Sequence, residues 1–229
     1  GSRETYVRVT VLAPLLAVVV LVIGAEVSYS AWIYSYAIER VGMRKDEAAW
    51  LNSLFWTSFT IGRMLLAPLA ACFSPGAMLV PALSTACLAN GLVLMQPDSA
   101  DLLWVGTLFA GVGVCALYSN VISLLAHYDL LSTRTTGAVG AAAAIGHMTL
   151  PNLVGHAIQH SSLGYEALIW LVSFANIGGL LLCTCVIAHL SRNFTPISEL
   201  RGSMLCSPRP PRDKLDKGHR YSSVGDCEL

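Results

Sequence analysis

The most constraining feature of this sequence is a set of long runs that contain no Asp, Glu, Lys or Arg. One such run lies between Arg8 and Glu26, and four more cover residues 64–97, 102–128, 135–165 and 167–191. A helix needs roughly 20 mostly apolar residues to cross about 30 Å of hydrocarbon. Each run is therefore long enough to contain a membrane-spanning helix or most of one.

The composition also indicates a surface that faces lipid. Hydrophobic residues make up 55% of the chain and charged residues only 12%, which is about half the charged share of a soluble domain. The 14 basic residues are balanced by 14 acidic residues, so no excess positive charge is present to hold a polyanion. These values argue against a cytosolic enzyme and against a nucleic-acid-binding protein.

Six spans are predicted, near residues 9–37, 48–73, 77–96, 102–127, 136–158 and 167–190. The segments between them are polar, charged or rich in Pro and Gly, as expected of short membrane loops. Barrel strands would alternate in segments of about ten residues, whereas helices satisfy every backbone amide internally. The predicted fold class is therefore an all-α membrane protein.

Lys and Arg are unequally divided between the two sides of these spans. The side that holds both termini carries two basic residues near the N-terminus, Arg134 and seven basic residues in the tail, whereas the other side carries Arg40, Arg44 and Lys45. The positive-inside rule then predicts that both ends are cytoplasmic. We expect a short cytoplasmic segment at 1–8, a transmembrane region at 9–190 and a cytoplasmic tail at 191–229.

The ends of the chain give further expectations. After Leu190 the composition changes to Ser, Pro, Arg and Asp, which predicts a disordered tail. The glycosylation triplet that begins at Asn193 is expected to be unmodified, because it lies in the predicted cytoplasm and Pro196 follows it. The chain begins with Gly-Ser rather than Met and lacks a secretory cleavage site, so we expect a piece of a longer protein.

The sequence predicts neither a disulfide nor a metal site. None of the seven cysteines is placed to form an extracellular disulfide. Cys183 and Cys185 are two residues apart, which directs their thiols to nearly opposite faces of a helix. His156 and His160 have metal-ligand spacing, but no third ligand is evident.

Glu26 lies deep inside the first predicted span. An ionisable side chain at that depth is costly unless it faces protein or water, so function is the default hypothesis and a structural ion pair is the alternative. Tyr29 and Ser30 follow Glu26 at spacings of three and four, which groups a carboxylate, a phenol and a hydroxyl on one face. We interpret this face as the wall of a wet cavity that binds substrate. For the tyrosines of this helix an interfacial aromatic belt is the alternative.

Two other spans carry candidate substrate-binding residues. Asn52 and Trp56 are four residues apart in the second span, where an amide and an indole can contact a sugar ring or, alternatively, join neighbouring helices. Asn120 and Ser123 are three residues apart in the fourth span and form a second candidate cavity wall.

Structural or gating roles are predicted for residues of the second and fifth spans. Arg63, which follows Gly62, is expected to cap carbonyl groups or to pair near the inner end of its helix. In the fifth span the small residues around Gly146 allow a close approach by another helix, and Pro151 bends the chain. Together with His147, these residues indicate a helix that moves.

Residues 21–157 resemble the C-terminal half of a major facilitator superfamily transporter, in the branch of the sodium-dependent glucose transporters and fucose permeases. The resemblance rests on short stretches at 24–29, 34–37, 51–56, 58–59, 62–63 and 74–76, with a later part at 136–137, 146–148 and 150–151. The block at 51–76 is its most specific part. The tail has no such match, and His147 stands where we expect an acidic residue in this family.

This resemblance implies that the six spans are helices 7 to 12 of a twelve-helix transporter, arranged as two three-helix repeats. It further implies alternating access by rocking of two halves, with D-glucose or a similar hexose as substrate and Na⁺ or H⁺ as a coupling ion. The partners would be the lipid bilayer and either the missing N-terminal six-helix half or a second copy of the chain. The implied location is the plasma membrane.

Two alternatives from other functional classes remain open at this point. The chain could be a truncated, transport-inactive membrane protein that acts only through association with other membrane proteins. It could also be an intramembrane hydrolase, but Ser119 and Ser123 with His127 lack an accompanying acid within the span. We therefore expect no catalytic residue and no cofactor.

Overall fold

The computed structural model describes residues 8–194 of the chain. The predictions made for residues 1–7 and for residues 195–229, including the disordered tail and the last residue of the glycosylation triplet, lie outside the described residues. Within the described range seven α-helices form, with the bounds α1 (Ala13–Glu39), α2 (Lys45–Leu69), α3 (Pro75–Met95), α4 (Ala100–Val114), α5 (Leu117–His127), α6 (Thr133–His160) and α7 (Ala167–Asn193). A π-helical turn, Arg8–Leu12, leads into α1, and a 3-10 turn, Gly164–Glu166, precedes α7.

The predicted fourth span is not one continuous helix. It divides into α4 and α5 because Cys115 and Ala116 interrupt the helix, and Ala116 has a non-helical backbone with φ −113° and ψ 10°. Just before the break, a Cβ on Gly113 would lie 2.6 Å from the backbone nitrogen of Ala86, so α4 can approach α3 only through a glycine. Glycine is a weak helix former, and the residue that this close packing requires to be glycine lies next to the last residue of α4.

Four helical segments in the described part of the chain are long and apolar enough to cross a membrane: Val9–Glu39, Pro75–Met95, Ala100–His127 and Gly164–Asn193. The prediction of six spans thus holds for four of them. α2 and α6, with 25 and 28 residues, are long enough but more polar. α2 begins with Lys45-Asp46-Glu47 and contains Arg63, and α6 contains several hydroxyl, amide and imidazole side chains.

Three of the helices begin with a serine cap. The hydroxyl oxygens of Ser74, Ser99 and Ser132 accept hydrogen bonds from the backbone amides of Ala77, Leu102 and Thr135, at 3.3, 3.4 and 3.2 Å. Each cap satisfies one of the amides that have no partner at a helix N-terminus. The polar residues between the apolar runs therefore define where α3, α4 and α6 start. Pro75 and Gly76, which follow Ser74, already belong to α3.

Five helices form a closed ring. α1 packs against α2, α2 against α4, α4 against α3, α3 against α7, and α7 against α1. α6 packs mainly against α1, and α5 packs against α3 and α1. The ring brings side chains from five separate parts of the sequence around one small space.

α1 and α6 approach each other through glycines. A Cβ on Gly146 would lie 2.5 Å from the carbonyl oxygen of Val20, and a Cβ on Gly24 would lie 2.9 Å from the carbonyl oxygen of Gly146. Farther along, the indole of Trp32 packs over Gly155 and donates a hydrogen bond to the carbonyl oxygen of Pro151 at 3.1 Å. The close helix approach expected from the small residues of this segment thus occurs at Gly146.

An ion-pair cluster joins three connections at one end of the helices. Arg40, which follows α1, donates hydrogen bonds to Glu166 at 2.9 Å and to Asp98. The hydrogen bond to Glu166 raises the pKa of the Arg40 guanidinium above its ordinary value, so this group stays charged. The hydroxyl of Tyr36 donates to the carbonyl oxygen of Pro97 at 3.2 Å. These contacts fix the end of α1 to the α3–α4 connection and to the turn before α7.

We expect Gly146→Ala to destabilise the bundle because the added methyl group would collide with the backbone of α1. Overpacking of this kind costs about 1–3 kcal/mol. Gly137→Ala is the matched control, since a Cβ there meets no atom within 4 Å and alanine raises helix propensity by about 1 kcal/mol. The free energy of unfolding in detergent should rank Gly146→Ala below Gly137→Ala, and equal values would contradict the close approach.

We also expect Arg40→Gln to lower stability by a small but measurable amount, because it removes the contacts with Asp98 and Glu166 that join separate connections. Arg44→Gln is the matched control, because Arg44 pairs only with Asp46 on the same segment and both side chains are largely exposed. Urea titration in detergent measures the difference. An effect of Arg44→Gln as large as that of Arg40→Gln would show that the cluster does not join the three connections.

Candidate functional site

A small cavity with a largely apolar wall lies within the five-helix ring. It leaves about 10 Å³ for the centre of a water-sized molecule, which is roughly the room that one water molecule needs. Every helix of the ring contributes to its wall, with the lining residues Ala25, Glu26, Tyr29, Phe55, Ala86, Asn90, Ala110, Val114, Val172 and Asn176. The cavity is far too small for a hexose ring.

Two asparagines in the cavity wall are buried without partners. Asn90 of α3 is 1% exposed and Asn176 of α7 is 2% exposed. Neither amide atom of Asn90, nor the amide oxygen of Asn176, has a hydrogen-bond partner among the described residues. A buried polar group without a partner costs about 1–3 kcal/mol. The unpaired amides of Asn90 and Asn176 therefore lower the stability of the bundle.

Glu26 is the charged member of the cavity wall and lies at the middle of α1. No hydrogen bond or salt bridge within residues 8–194 involves its carboxylate, and Arg63 is the cation whose charge acts on it. Its neighbours on α1 divide into two stripes. Glu26, Ser30 and Tyr34 are partly buried or exposed, whereas Tyr29 is buried. Glu26 therefore lies between the cavity and the more open side of α1.

Tyr29 links α1 to α4 through a hydrogen bond. Its hydroxyl lies 2.8 Å from the hydroxyl of Thr107, and Thr107 donates its own proton to the carbonyl oxygen of Leu103 at 2.7 Å. Tyr29 must therefore be the donor in the first bond. Its oxygen keeps lone pairs that can accept in the cavity, but its proton is not available to a substrate. The ring of Tyr29 also packs against Phe55 of α2, with the ring centroids 5.2 Å apart.

The predicted residues of α2 lie at the edge of the ring. Trp56 is 43% exposed and packs edge-on against Phe55 and Phe59. Asn52 is partly buried, and its amide oxygen has no partner in the described part of the chain. These two side chains do not line the cavity that contains Glu26 and Tyr29.

Gly62 and Arg63 contact the break between α4 and α5. Gly62 faces Cys115, where a Cβ would lie 2.9 Å from the sulfur. The Nε of Arg63 donates a hydrogen bond to the carbonyl oxygen of Cys115 at 2.5 Å, and its guanidinium lies 4.4 Å from the ring centroid of Phe59. Arg63 thus supplies a donor to a carbonyl group at the point where the helix is interrupted.

The other predicted residues divide between inward and outward positions. Asn120 of α5 is buried, whereas Ser123, three residues later, is exposed, so the two do not share one open face. The hydroxyl of Ser30 donates to the carbonyl oxygen of Val27 at 3.0 Å. On α6, Gly146 is buried against α1, Pro151 accepts the Trp32 bond, and His147 is exposed on the side away from the bundle.

Sequence reasoning missed Asn90 and Asn176. Each is a single amide within an otherwise apolar helix, and Ser173 lies one helical turn before Asn176. A polar group deep in a span is costly and is therefore usually functional, and this argument applies to Asn90 and Asn176 as it does to Glu26.

No group of three or more His, Cys, Asp or Glu side chains with metal-binding geometry occurs among the described residues. His156 and His160 stack on each other with their ring centroids 4.2 Å apart. The five cysteines within the described range are free thiols.

Four helical segments within residues 8–194 are long and apolar enough to span a membrane, which indicates a multi-pass integral membrane protein. The sequence is 32% identical over 149 residues to sodium-dependent glucose transporter 1 of Danio rerio, a match that covers 65% of this chain and 25% of that protein. It is 30% identical over 160 residues to sodium-dependent glucose transporter 1 of Homo sapiens, covering 68% of this chain and 31% of that protein.

A more distant relative is Major facilitator superfamily domain-containing protein 4A of Xenopus tropicalis, 28% identical over 139 residues, with 59% of this chain and 27% of that protein covered. No family model matches the chain. The chain is thus related to transporters of the major facilitator superfamily. The matched region spans between a quarter and a third of the length of these relatives.

We expect the two residues of the Tyr29–Thr107 hydrogen bond to contribute unequally to stability. Thr107→Val leaves the buried phenol hydroxyl without an acceptor and should cost about 1–3 kcal/mol. Tyr29→Phe leaves Thr107 bonded to Leu103 and should cost about 1 kcal/mol or less. The double variant should be more stable than Thr107→Val alone. Unfolding free energies of the four proteins in detergent form the double-mutant cycle. Additive losses would show that Tyr29 does not depend on Thr107.

Proposed function

We propose that this chain is the C-terminal, six-helix half of a major facilitator transporter that moves a hexose such as D-glucose by alternating access. In this proposal α1, α2, α3, α4 with α5, α6 and α7 correspond to helices 7 to 12 and form two three-helix repeats. The domain limits are those expected from the sequence, with a transmembrane region at 9–190. The relatives named sodium-dependent glucose transporter 1 support both the substrate class and Na⁺ as the coupling ion, with H⁺ as the alternative ion.

The observation that carries the proposal is the set of polar residues on the exposed side of α2. Thr57, Thr60 and Arg63 are exposed there among exposed apolar side chains, beside the half-exposed Trp56. An arginine in a membrane helix is strongly disfavoured in contact with lipid and instead faces protein or a water-filled space. The exposed side of α2 is therefore suited to line an aqueous path or an interface with the rest of a transporter. The same reasoning applies to α6, where His147, Asn152 and His156 are exposed.

The size of the ring cavity supports a sugar site outside the ring. The cavity has room for about one water molecule, which is too little for a hexose. Trp56 offers an indole face and Asn52 an amide beside it, which is the combination of aromatic surface and a few polar groups typical of small-molecule sites. Ser123, Asn120 and Ser30 would contribute further hydroxyl and amide contacts, and Glu26 would accept sugar hydroxyls or carry the coupling charge.

A complete path needs a second wall. The missing N-terminal six-helix half, or a second copy of this chain, would cover the exposed sides of α2 and α6 and close the sugar site between the two parts. Both ends of the chain would be cytoplasmic in the plasma membrane. Rocking of the halves would move Gly62, Arg63 and the α6 residues Gly146, His147 and Pro151 relative to the partner.

The alternative of an inactive chain that acts only through association gains no support from the comparisons, since the relatives are named as transporters. Transport requires no covalent chemistry, and the named relatives provide no reason to assign an enzymatic activity.

The uptake of labelled D-glucose by the complete protein in liposomes tests the proposal. We expect uptake above that of empty vesicles, and Trp56→Ala should reduce it roughly tenfold or more, equivalent to about 1.4 kcal/mol of lost binding. Trp50→Ala is the matched control, because Trp50 lies on the same helix but is 71% exposed near its start. Uptake equal to that of empty vesicles would contradict the proposed function, and equal loss in both variants would contradict the sugar site.

A further inference from the structure

We propose that Phe59 is a positioning residue for the sugar site: its ring, held beneath the guanidinium of Arg63, fixes the orientation in which the indole of Trp56 meets the sugar. The inference rests on the proposed function for the identity of the ligand. Phe59 is 6% exposed, whereas Trp56 is 43% exposed. Phe59 therefore supports the indole from the protein side and acts on the sugar only through Trp56.

The indole of Trp56 is held by two aromatic contacts on α2. Its ring centroid lies 5.4 Å from that of Phe55, with 80° between the two planes, and 5.5 Å from that of Phe59, with 72° between the planes. Contacts of this geometry are favourable, and their strength depends on the angle between the rings. Because both neighbours hold the indole at nearly a right angle, its plane is defined although much of the residue is exposed.

Phe59 is fixed in turn by a contact from another part of the chain. The guanidinium of Arg63 lies 4.4 Å from the ring centroid of Phe59, which is the geometry of a cation–π contact. The Nε of Arg63 donates to the carbonyl oxygen of Cys115, at the break between α4 and α5. The cation on Phe59 is thus bonded to a segment outside α2, and this bond holds it over the ring.

The backbone that carries these aromatic side chains is also fixed. A Cβ on Gly111 of α4 would lie 2.6 Å from the carbonyl oxygen of Phe55 and 3.2 Å from the backbone nitrogen of Phe59. α4 therefore packs directly against the backbone of α2 at this turn. Phe55 also packs against Tyr29 of α1, with the ring centroids 5.2 Å apart. A binding residue on a rigid helix with locked neighbours presents its surface more precisely than one on a mobile segment.

The fixed orientation has a consequence for affinity. A side chain that has to be ordered when a ligand binds weakens binding by about two- to tenfold, and an indole that is already ordered avoids this loss. No hydrogen bond within residues 8–194 uses the indole N–H of Trp56, so this donor is available to a sugar hydroxyl. Trp56 can then offer both an aromatic surface and a hydrogen-bond donor in one preset orientation.

The first test compares the KM and Vmax of D-glucose uptake by the complete protein in liposomes. Phe59→Leu removes the ring and keeps an apolar side chain, so KM should rise by about two- to tenfold with little change in Vmax, as for loss of binding shared by ground and transition states. Phe59→Tyr restores an aromatic ring and should recover most of the affinity. Phe109→Leu is the matched control, because Phe109 is 44% exposed on α4.

The second test measures the orientation of the indole without any sugar. In ¹⁹F NMR of the complete protein labelled with 5-fluorotryptophan, the Trp56 resonance is the one that is missing from Trp56→Phe. Phe59→Leu should narrow this resonance, because the indole then samples more orientations, whereas a shift alone would follow from the loss of any neighbouring ring. The Trp32 resonance reports whether the bundle is intact, since Trp32 packs over Gly155 of α6.

Arg63→Lys leaves every ring in place and tests the contribution of the cation. Lys keeps the charge, but it has no planar group that can cover a ring while it bonds to a carbonyl oxygen. We expect KM to rise and the Trp56 resonance to narrow, both by less than in Phe59→Leu. Arg134→Lys is the matched control, because Arg134 is exposed near the start of α6.

The inference is overturned if Phe59→Leu raises KM by less than about twofold, if Phe109→Leu raises it equally, or if the line width of Trp56 does not change. Should Phe59→Leu lose the Trp32 resonance of the folded bundle, Arg63→Lys decides the question by the same two measurements. Absence of hexose uptake by the unchanged protein would contradict the proposed function, whereas the line width of Trp56 would still decide whether Phe59 orients the indole.

Discussion

Polar groups within a membrane protein must find partners inside the protein, and this constraint organises the whole bundle. Lipid offers no hydrogen bonds, so Thr107 bonds to Tyr29 and to its own helix, and Arg63 bonds to the carbonyl group exposed by the break between α4 and α5. Trp32 reaches the backbone of α6 for the same reason. Where partners are missing, as at Asn90 and Asn176, the polar atoms gather around one cavity.

The sequence predicted the helical segments well because each long apolar run has only one economical structure in lipid. The helix bounds follow the predicted limits to within a few residues, and the serine caps explain several of the starts. The break at Cys115 was not predictable, since no proline marks it and the contact of the neighbouring Gly113 with Ala86 is distant in sequence. The lower hydropathy of α2 and α6 was visible in the sequence, but its meaning depends on which sides the neighbouring helices cover.

Prediction of the site was less complete. Helical spacing grouped Glu26 with Tyr29, and both line one cavity, although only Tyr29 is fully buried. The same rule grouped Asn120 with Ser123, and the structure buries Asn120 and exposes Ser123. A spacing of three residues spreads over about 60° of the helix, so neighbouring elements decide which residue is covered. The cost of a polar side chain deep in a span would also have identified Asn90 and Asn176 from the sequence. That both line one cavity follows only from the packing of α3 and α7 in the ring.

The architecture separates a small cavity inside the ring from the exposed surface of α2 that carries Trp56 and Asn52. Glu26 lines the cavity and also belongs to the more open side of α1. The most direct test is a high-resolution experimental structure of the complete protein with D-glucose present. We expect sugar density outside the ring, beside Trp56 and Asn52. Sugar density inside the ring, between α1, α3 and α7, would contradict the proposed sugar site.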